Sequence, residues 1–445
     1  MDMDRKQFAI GLAAAAAAIA SGPAAADSDG ASPAAATGSL PTTPRAAHQA
    51  TYFFSNSAFE FVFLTALGRA YHQAGNVGKI LHLTRQVQDG DFEGAFLAFL
   101  AAGDEASALA AASLAKGHRE SARQAYMWAQ NYYDSATYFV DGSNDPSRLL
   151  PTWDRLDACW KSAIALMPVP GQEVWIPYEN TPLRGYYFSA PGVSGKRPLL
   201  IMNNGSDGSL LDMLTLGGAG ALARGYDVLT FDGPGQGYAL WKQNLHFRPD
   251  WETVITPVVD HALTRGEVDP GRIALLGVSQ GGYWVPRAAA FEKRIAAAVA
   301  DPGVIDVSTS WTASVPEPML GLLAAGKKEI FDGIMDKELD PATKAALGFR
   351  MRPYGLTSYF DVFRATAQYR ITPEIAARIS CPVLVTAPAN EAFWPGQSQQ
   401  LFDMLTAPRA LVPFTPSDGA DLHCEPQAYG LRDLRIFDWL DEVLR

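Results

Sequence analysis

Ser279 stands inside Gly277-Val278-Ser279-Gln280-Gly281-Gly282, directly after the apolar run Ile273 to Leu276 and before a helix-like segment. Strand, tight turn and helix in that order suit a nucleophile elbow, in which the turn exposes the serine hydroxyl at the end of the strand. Small neighbours are required where strand and helix nearly touch, and Gly277, Gly281 and Gly282 supply them. The same letters without that context would be a plain glycine-rich turn. A serine hydroxyl attacks well only when a base takes its proton, usually a histidine steered by a carboxylate. Of seven histidines only His423 follows Ser279, in the loop Ser417 to His423 between the last predicted strand and the last predicted helix. The chain order nucleophile, acid, base places the acid just past the strand Pro382 to Ala387, where Glu391 is the first carboxylate. Asp418 and Asp421 are alternatives, which also suit a loop-shaping role through Asx turns.

The tetrahedral oxyanion of such a reaction needs two amide donors. The expected pair is Gln280 and a residue of Asn203-Asn204-Gly205-Ser206-Asp207-Gly208, foremost Ser206, with Gly205 letting the backbone turn its N–H inwards. Asp232-Gly233-Pro234-Gly235-Gln236-Gly237 lacks the Lys-Ser/Thr of a phosphate loop and reads as a glycine-rich loop bordering the site. Tyr283, Trp284, Trp311, Tyr354, Tyr359, Phe360 and Trp394 are candidates for an aromatic pocket, each also suited to the core.

The elements that must position these groups follow from periodicity. From residue 171 to 445 strands alternate with helices: Gln172 to Pro177, Leu183 to Ser189, Pro198 to Asn203, Asp227 to Phe231, Arg272 to Gly277, Ala296 to Ala300, Pro382 to Ala387 and Ala410 to Phe414. Helices are expected at Ser209 to Arg224, Asp250 to Gly266, Gln280 to Lys293, Gly396 to Thr406 and Glu425 to Leu444. This order gives an α/β architecture, a mostly parallel sheet with helices on both faces, whose ligands lie beyond the carboxyl ends of the strands. Residues 308–379 interrupt the alternation as a helical cap. Residues 51–170 carry apolar residues at helical spacing, and five or six helices are expected, broken at Gly75, Gly90, Gly103, Gly117 and Asp141 to Pro146. Tyr126, Trp128, Tyr132, Tyr133 and Tyr138 belong to its core or line a cavity, and His72, His82 and His118 take surface or capping roles.

Met1 to Ala26 has Arg5 and Lys6, an apolar start and Ala24-Ala25-Ala26, the pattern of a secretory signal peptide. Asp4-Arg5-Lys6-Gln7-Phe8 resembles a twin-arginine signal with lysine in the second place. Residues 27–50, rich in Ala, Ser, Pro, Gly and Thr, form a linker. An exported protein, periplasmic or secreted and without a stable membrane span, is expected. Net charge is −11 and no basic block occurs, which argues against nucleic acid as a partner. The three cysteines, Cys159, Cys381 and Cys424, show no metal or disulfide spacing. No metal or organic cofactor is called for; the partner is a small-molecule substrate, and a homodimer is compatible with the sequence.

The helical segment, Asn204-Gly205-Ser206-Asp207-Gly208 with Phe231 to Gly237, and Gly419-Ala420-Asp421-Leu422-His423-Cys424-Glu425 together resemble one group of alpha/beta-hydrolases. That group holds 2,6-dihydroxypseudooxynicotine hydrolase, fungal polyketide chain-shortening hydrolases and esterases similar to the fermentation-respiration switch protein. The resemblance spans residues 51–445. It implies that the helical domain closes over the site, that Ser279 is nucleophile and His423 base, and that the Asn390-Glu391 pair supplies the acid. The group cleaves esters, or carbon–carbon bonds beside a ketone, with the same parts. A peptidase and a non-catalytic binder of small apolar ligands are the remaining readings.

Overall fold

The computed structural model describes residues 52–444, so the signal-peptide and linker assignments lie outside the described residues. Five α-helices open the described chain: α1 Ser57–Gly68, α2 Val77–Gln86, α3 Phe92–Ala115, α4 Arg119–Thr137 and α5 Leu149–Ala165. Asn56, Asn76 and Asp91 cap the first three, each side chain accepting from amides of the first turn. Gly103, expected to break a helix, lies in the middle of α3. A Cβ there would stand 2.5 Å from the Tyr133 ring, so this glycine allows α3 and α4 to approach rather than ending either. Tyr132 and Tyr133 are core, and the Tyr133 hydroxyl donates to Asp104 at 2.6 Å. α3 is long and apolar enough to cross a bilayer by length and composition, yet Ala95, Phe96, Phe99, Ala102 and Ala106 are buried within the protein.

Eight strands follow: β1 Gln172–Ile176, β2 Leu183–Phe188, β3 Arg197–Asn203, β4 Asp227–Phe231, β5 Val268–Val278, β6 Ala297–Asp301, β7 Val383–Pro388 and β8 Arg409–Phe414. They form one sheet in the order β1-β2-β4-β3-β5-β6-β7-β8. β1 and β2 pair antiparallel, β2 pairs antiparallel with β4, and the rest are parallel. Central strands buried on both faces read as continuous apolar runs, and the period of two then sorts their residues between two cores. Leu200, Met202, Ala274, Leu276 and Val299 pack with the helical segment and with α9 Tyr429–Val443. Leu199, Ile201, Ile273, Leu275 and Ala300 pack with α6 Glu252–Leu263, α7 Gly281–Ala289 and the insertion. α8, Gln397–Met404, lies between β7 and β8 in the chain.

The helix expected over Ser209 to Arg224 is broken into a 3-10 turn Leu210–Asp212, a wide turn Leu214–Gly218 and a short helix Ala219–Ala223. Gly217 turns left-handed at φ 121°, and Asp212 caps Ser209 N while binding Arg69 at 3.1 Å and Asn204 at 3.2 Å. These polar ties specify a turn where periodicity alone suggests a helix. Arg69 also reaches Asp134 at 2.7 Å, which keys the helical segment to the sheet-bearing part through a buried ion cluster. His72, expected at the surface, is half-buried and meets Asp433 at 2.8 Å in that same interface. The insertion is a run of helices from Thr309–Thr312 to Pro373–Ala376 joined by short loops, and it touches the helical segment where Arg352 binds Asp141 at 2.7 Å.

Candidate active site

β5 ends at Val278, and Ser279 follows at φ 57°, a left-handed conformation that costs a non-glycine residue energy and must be held by its surroundings. The Ser279 amide donates to Asp301 O at 2.6 Å, tying the turn to the end of β6. A Cβ on Gly277 would meet Gly281 O at 2.2 Å, and one on Gly282 would meet Pro302 O at 1.8 Å, so both approaches demand glycine.

His423 lies on the loop after β8 and is 4% exposed. Its Nε2 stands 2.9 Å from Ser279 Oγ and its Nδ1 2.7 Å from Glu391 Oε2. A carboxylate can only accept, so Nδ1 carries the proton and Nε2 is left to accept from the serine hydroxyl. Glu391 Oε1 accepts from the amides of Phe393 at 2.9 Å and Trp394 at 3.1 Å. Burial pushes the Glu391 carboxyl up, but His423 and the two amides outweigh it and hold it below its ordinary value. Asp418 instead binds Arg435 and Thr415. Asp421 accepts from Asn390 Nδ2 at 2.6 Å, and its carbonyl takes the Asn390 amide at 2.8 Å, stitching the acid loop to the base loop.

The loop after β3 crosses in front of the serine. A Cβ on Gly205 would stand 2.6 Å from Ser279 Cβ, so the glycine permits this approach. Its amide is not an inward donor as expected: it donates to Asn204 Oδ1 at 2.7 Å, because the short carboxamide closes on the next N–H. The amides of Ser206 and Gln280 have no hydrogen-bond partner among the described residues. Gln236, in the glycine-rich loop, donates to Asn204 O at 2.7 Å and Gly205 O at 2.9 Å. Those bonds fix the carbonyls of Asn204 and Gly205 and so the course of this loop past the serine. Nothing in its sequence context singled out Gln236.

Several expected pocket residues lie elsewhere. Tyr283 is buried with its hydroxyl on Pro249 O at 2.8 Å, and Trp284 is stacked on Trp251 at 4.3 Å between ring centroids. Both face the second core because α7 packs from its first turn against the face of the sheet that α6 also covers. Tyr359 packs against the second core with the residues of the insertion. Trp394 does stand at the site, its ring 5.8 Å from that of His423. Trp311 lies in the roof, with the Arg350 guanidinium 5.5 Å over its ring. Two aromatics the sequence did not point to complete the wall: Phe393 at 4.6 Å from His423 and Phe61, from α1, at 6.1 Å. One signal for Phe61 was available, since it sits on the opposite face of α1 from the buried pair Phe59 and Phe63.

A mostly parallel sheet, a serine elbow after its fifth strand, a carboxylate after the seventh and a histidine after the eighth define a hydrolase class in which the sheet is a frame and the loops at its carboxyl end carry the chemistry. The alpha/beta hydrolase family profile matches residues 204–428, and the chain belongs to this family. It is 31% identical over 414 residues to hydrolase LUC6 of a Fusarium species, covering 88% of this chain and 97% of that protein. It is 29% identical over 413 residues to 20-hydroxy-prefusarin hydrolase FUS2 of Gibberella moniliformis, covering 88% and 97%. Among solved structures, 2,6-dihydroxy-pseudo-oxynicotine hydrolase shares the fold with a TM-score of 0.66 at 21% identity, over 85% of this chain and 95% of that one. The protein is an enzyme of hydrolase type.

Proposed function

We propose that this protein is an exported serine hydrolase that cleaves a carboxylic ester of a medium-sized aromatic substrate. The observation that carries the reading is the continuous chain Ser279 Oγ, His423 Nε2, His423 Nδ1, Glu391 Oε2, with links of 2.9 and 2.7 Å. Ser279 Oγ attacks the ester carbonyl as its proton passes to His423 Nε2, and Glu391 stabilises the imidazolium. The amides of Gln280 and Ser206 hold the oxyanion. Its collapse expels the alkoxide, which takes the proton from His423; water, deprotonated by the same nitrogen, then releases the acid. Phe61, Phe393, Trp394 and Trp311 supply the aromatic walls. Export is supported by the pattern of residues 1–26 and is tested by locating the protein in cell fractions.

A second reading is hydrolysis of a carbon–carbon bond in an aryl ketone or 1,3-diketone. Such a leaving group departs as an enol or carbanion and needs donors around it. The insertion supplies one in Tyr354, whose buried hydroxyl lies beside the Gln280 and Trp311 side chains. Initial rates on a p-nitrophenyl ester and on an aryl 1,3-diketone, with Ser279→Ala as the blank, decide between the two. Absence of turnover on both, together with no labelling of Ser279 by a fluorophosphonate, would sink the serine-hydrolase reading.

A further inference from the structure

Asp301, at the end of β6, holds two strained turns at once. Its carbonyl accepts from the Ser279 amide at 2.6 Å and from the Cys424 thiol at 3.5 Å. Cys424 and Glu425 follow His423 directly and lie at φ 58° and 50°, so the base loop, like the serine turn, runs through left-handed backbone that its surroundings must hold. The Glu425 side chain supplies a second tie. It is fully buried, as is Asp301, and the two carboxyl groups lie within hydrogen-bonding reach of each other. Ionised carboxylates only accept, so a bond between them requires a proton on one. No other described residue donates to either oxygen of Glu425. The charges around the pair demand the proton too. Arg432, on α9, stands with Nη1 3.6 Å from Asp301 Oδ2 and Nη2 3.3 Å from Asp433 Oδ1, so its one positive charge already faces two carboxyls. Glu391, from the acid loop, adds a further negative charge to the surroundings of Glu425.

We propose that Glu425 and Asp301 share one proton, and that the protonated pair clamps the base loop to the serine turn, which makes Glu425 a positioning residue for His423. The proposal rests on the serine-hydrolase reading for its effect on turnover; the shared proton itself does not. With the proton in place Asp301 is tied to Ser279 N, Cys424 Sγ and Glu425 together, and the 2.9 Å contact between His423 Nε2 and Ser279 Oγ is held from behind. Without it two buried carboxylates repel each other across that tie. The groups facing the pair are Arg432 from α9, Thr386 from β7, whose hydroxyl donates to Asp301 Oδ1 at 2.7 Å, Glu391 from the acid loop and Cys424 from the base loop; of these only Arg432 is positive. Asp433 and Tyr429 face Arg432, and His72 meets Asp433 at 2.8 Å. Burial and the Asp301 carboxyl hold the Glu425 carboxyl well above its ordinary value. The folded state therefore favours the protonated form, and the clamp is complete at low pH and lost as pH rises through the folded value.

Glu425→Gln and Glu425→Ala in the full chain separate the clamp from the filling of space, because glutamine keeps a donor for Asp301 and cannot ionise. Fluorophosphonate labelling of Ser279 and kcat on a p-nitrophenyl ester, followed upwards in pH with Ser279→Ala as the blank, should fall at least about tenfold in the native chain through one ionisation. Both should stay level in Glu425→Gln over the same range, with circular dichroism unchanged in the two proteins. Glu425→Ala should lose at least about tenfold in kcat at every pH while KM stays within about twofold, since the buried carboxyl does not meet substrate. If a Glu425 variant does not fold, Asp301→Asn, which removes the like charge and leaves an acceptor, should also abolish the alkaline fall. The infrared spectrum of the native chain at neutral pH should contain a protonated-carboxyl band that Glu425→Gln lacks. Identical alkaline falls in the native and Gln proteins, a Gln variant as impaired as the Ala variant, or no such band in the native chain overturns the proposal. Failure of the serine-hydrolase reading shows separately, as absent turnover and labelling at every pH, while the carboxyl band still decides the shared proton.

Discussion

The ring of Phe61 lies 6.1 Å from the ring of His423, although the two residues stand near opposite ends of the chain. α1 sits against the loop that follows the histidine: a Cβ on Gly68 would be 1.8 Å from Pro426 O. The helical segment is therefore part of the wall of the site as well as a neighbour of the sheet. Phe61→Ala should raise KM for aromatic esters about three- to tenfold while lowering kcat little, because it removes apolar area without touching the proton path. Steady-state kinetics on aryl and short alkyl esters checks this; equal losses on both would show that the ring does not contact substrate.

Ser279→Ala and His423→Ala should each lower kcat by at least about a thousandfold. Thermal melting of both variants should stay near that of the unsubstituted protein, since neither side chain fills the core. Substantial turnover in either variant would remove the proposed proton path.

Glu391→Gln should cost about a hundred- to ten-thousandfold in kcat, because an amide stabilises the imidazolium poorly and allows the wrong tautomer. Asp418→Asn should cost little, as its partners are Arg435 and Thr415. Since Glu391 is held below its ordinary value, it remains charged as pH falls to the point where a free glutamate titrates. Any stability it contributes is present above its unfolded pKa and is lost only below that, as pH falls through the folded value. Melting temperature followed downwards from neutral pH, for the native chain against Glu391→Gln, should show a difference that closes only at strongly acidic pH.

Gly205→Ala should nearly abolish turnover, since the added methyl would lie 2.6 Å from Ser279 Cβ and the backbone it meets has little freedom to move. Far-ultraviolet circular dichroism should be unchanged while fluorophosphonate labelling slows. Normal labelling would mean that the loop relaxes away from the serine.

Asp232 lies fully buried, accepting from the amides of Leu210 at 2.6 Å and Tyr238 at 2.7 Å. Burial outweighs those bonds and raises its pKa to about 7. A raised carboxyl favours the protonated folded state, so stability should fall as pH rises from the unfolded value near 4 towards 7. Denaturant unfolding should show the native chain losing roughly 2–4 kcal/mol over that window relative to Asp232→Asn. Parallel profiles for the two proteins would show that the carboxylate is ionised throughout.

The strands were legible because both faces of the sheet are covered: apolar runs such as Asp227–Phe231 appear in the sequence with nearly their observed limits. Ser279 and His423 were legible too, the one by the glycines that its turn requires and the other by being the last histidine in the chain. Local pattern failed where a long-range contact set the outcome. Gly103 looked like a helix break because nothing nearby announces Tyr133, and Tyr283 and Trp284 looked like pocket residues because the sequence does not say which face of α7 meets α6.

By itself, then, the sequence determined the alternation of elements, the glycine-bounded serine turn and the one histidine that follows it in the chain. The tertiary structure decided which of three carboxylates meets that histidine, which aromatics line the site, and that Gly205 gives space rather than a donor. The physical reason is reach. A turn, a cap or a strand is specified by residues a few positions apart, whereas the bond from Glu391 to His423 and the approach of Phe61 depend on where whole elements come to rest.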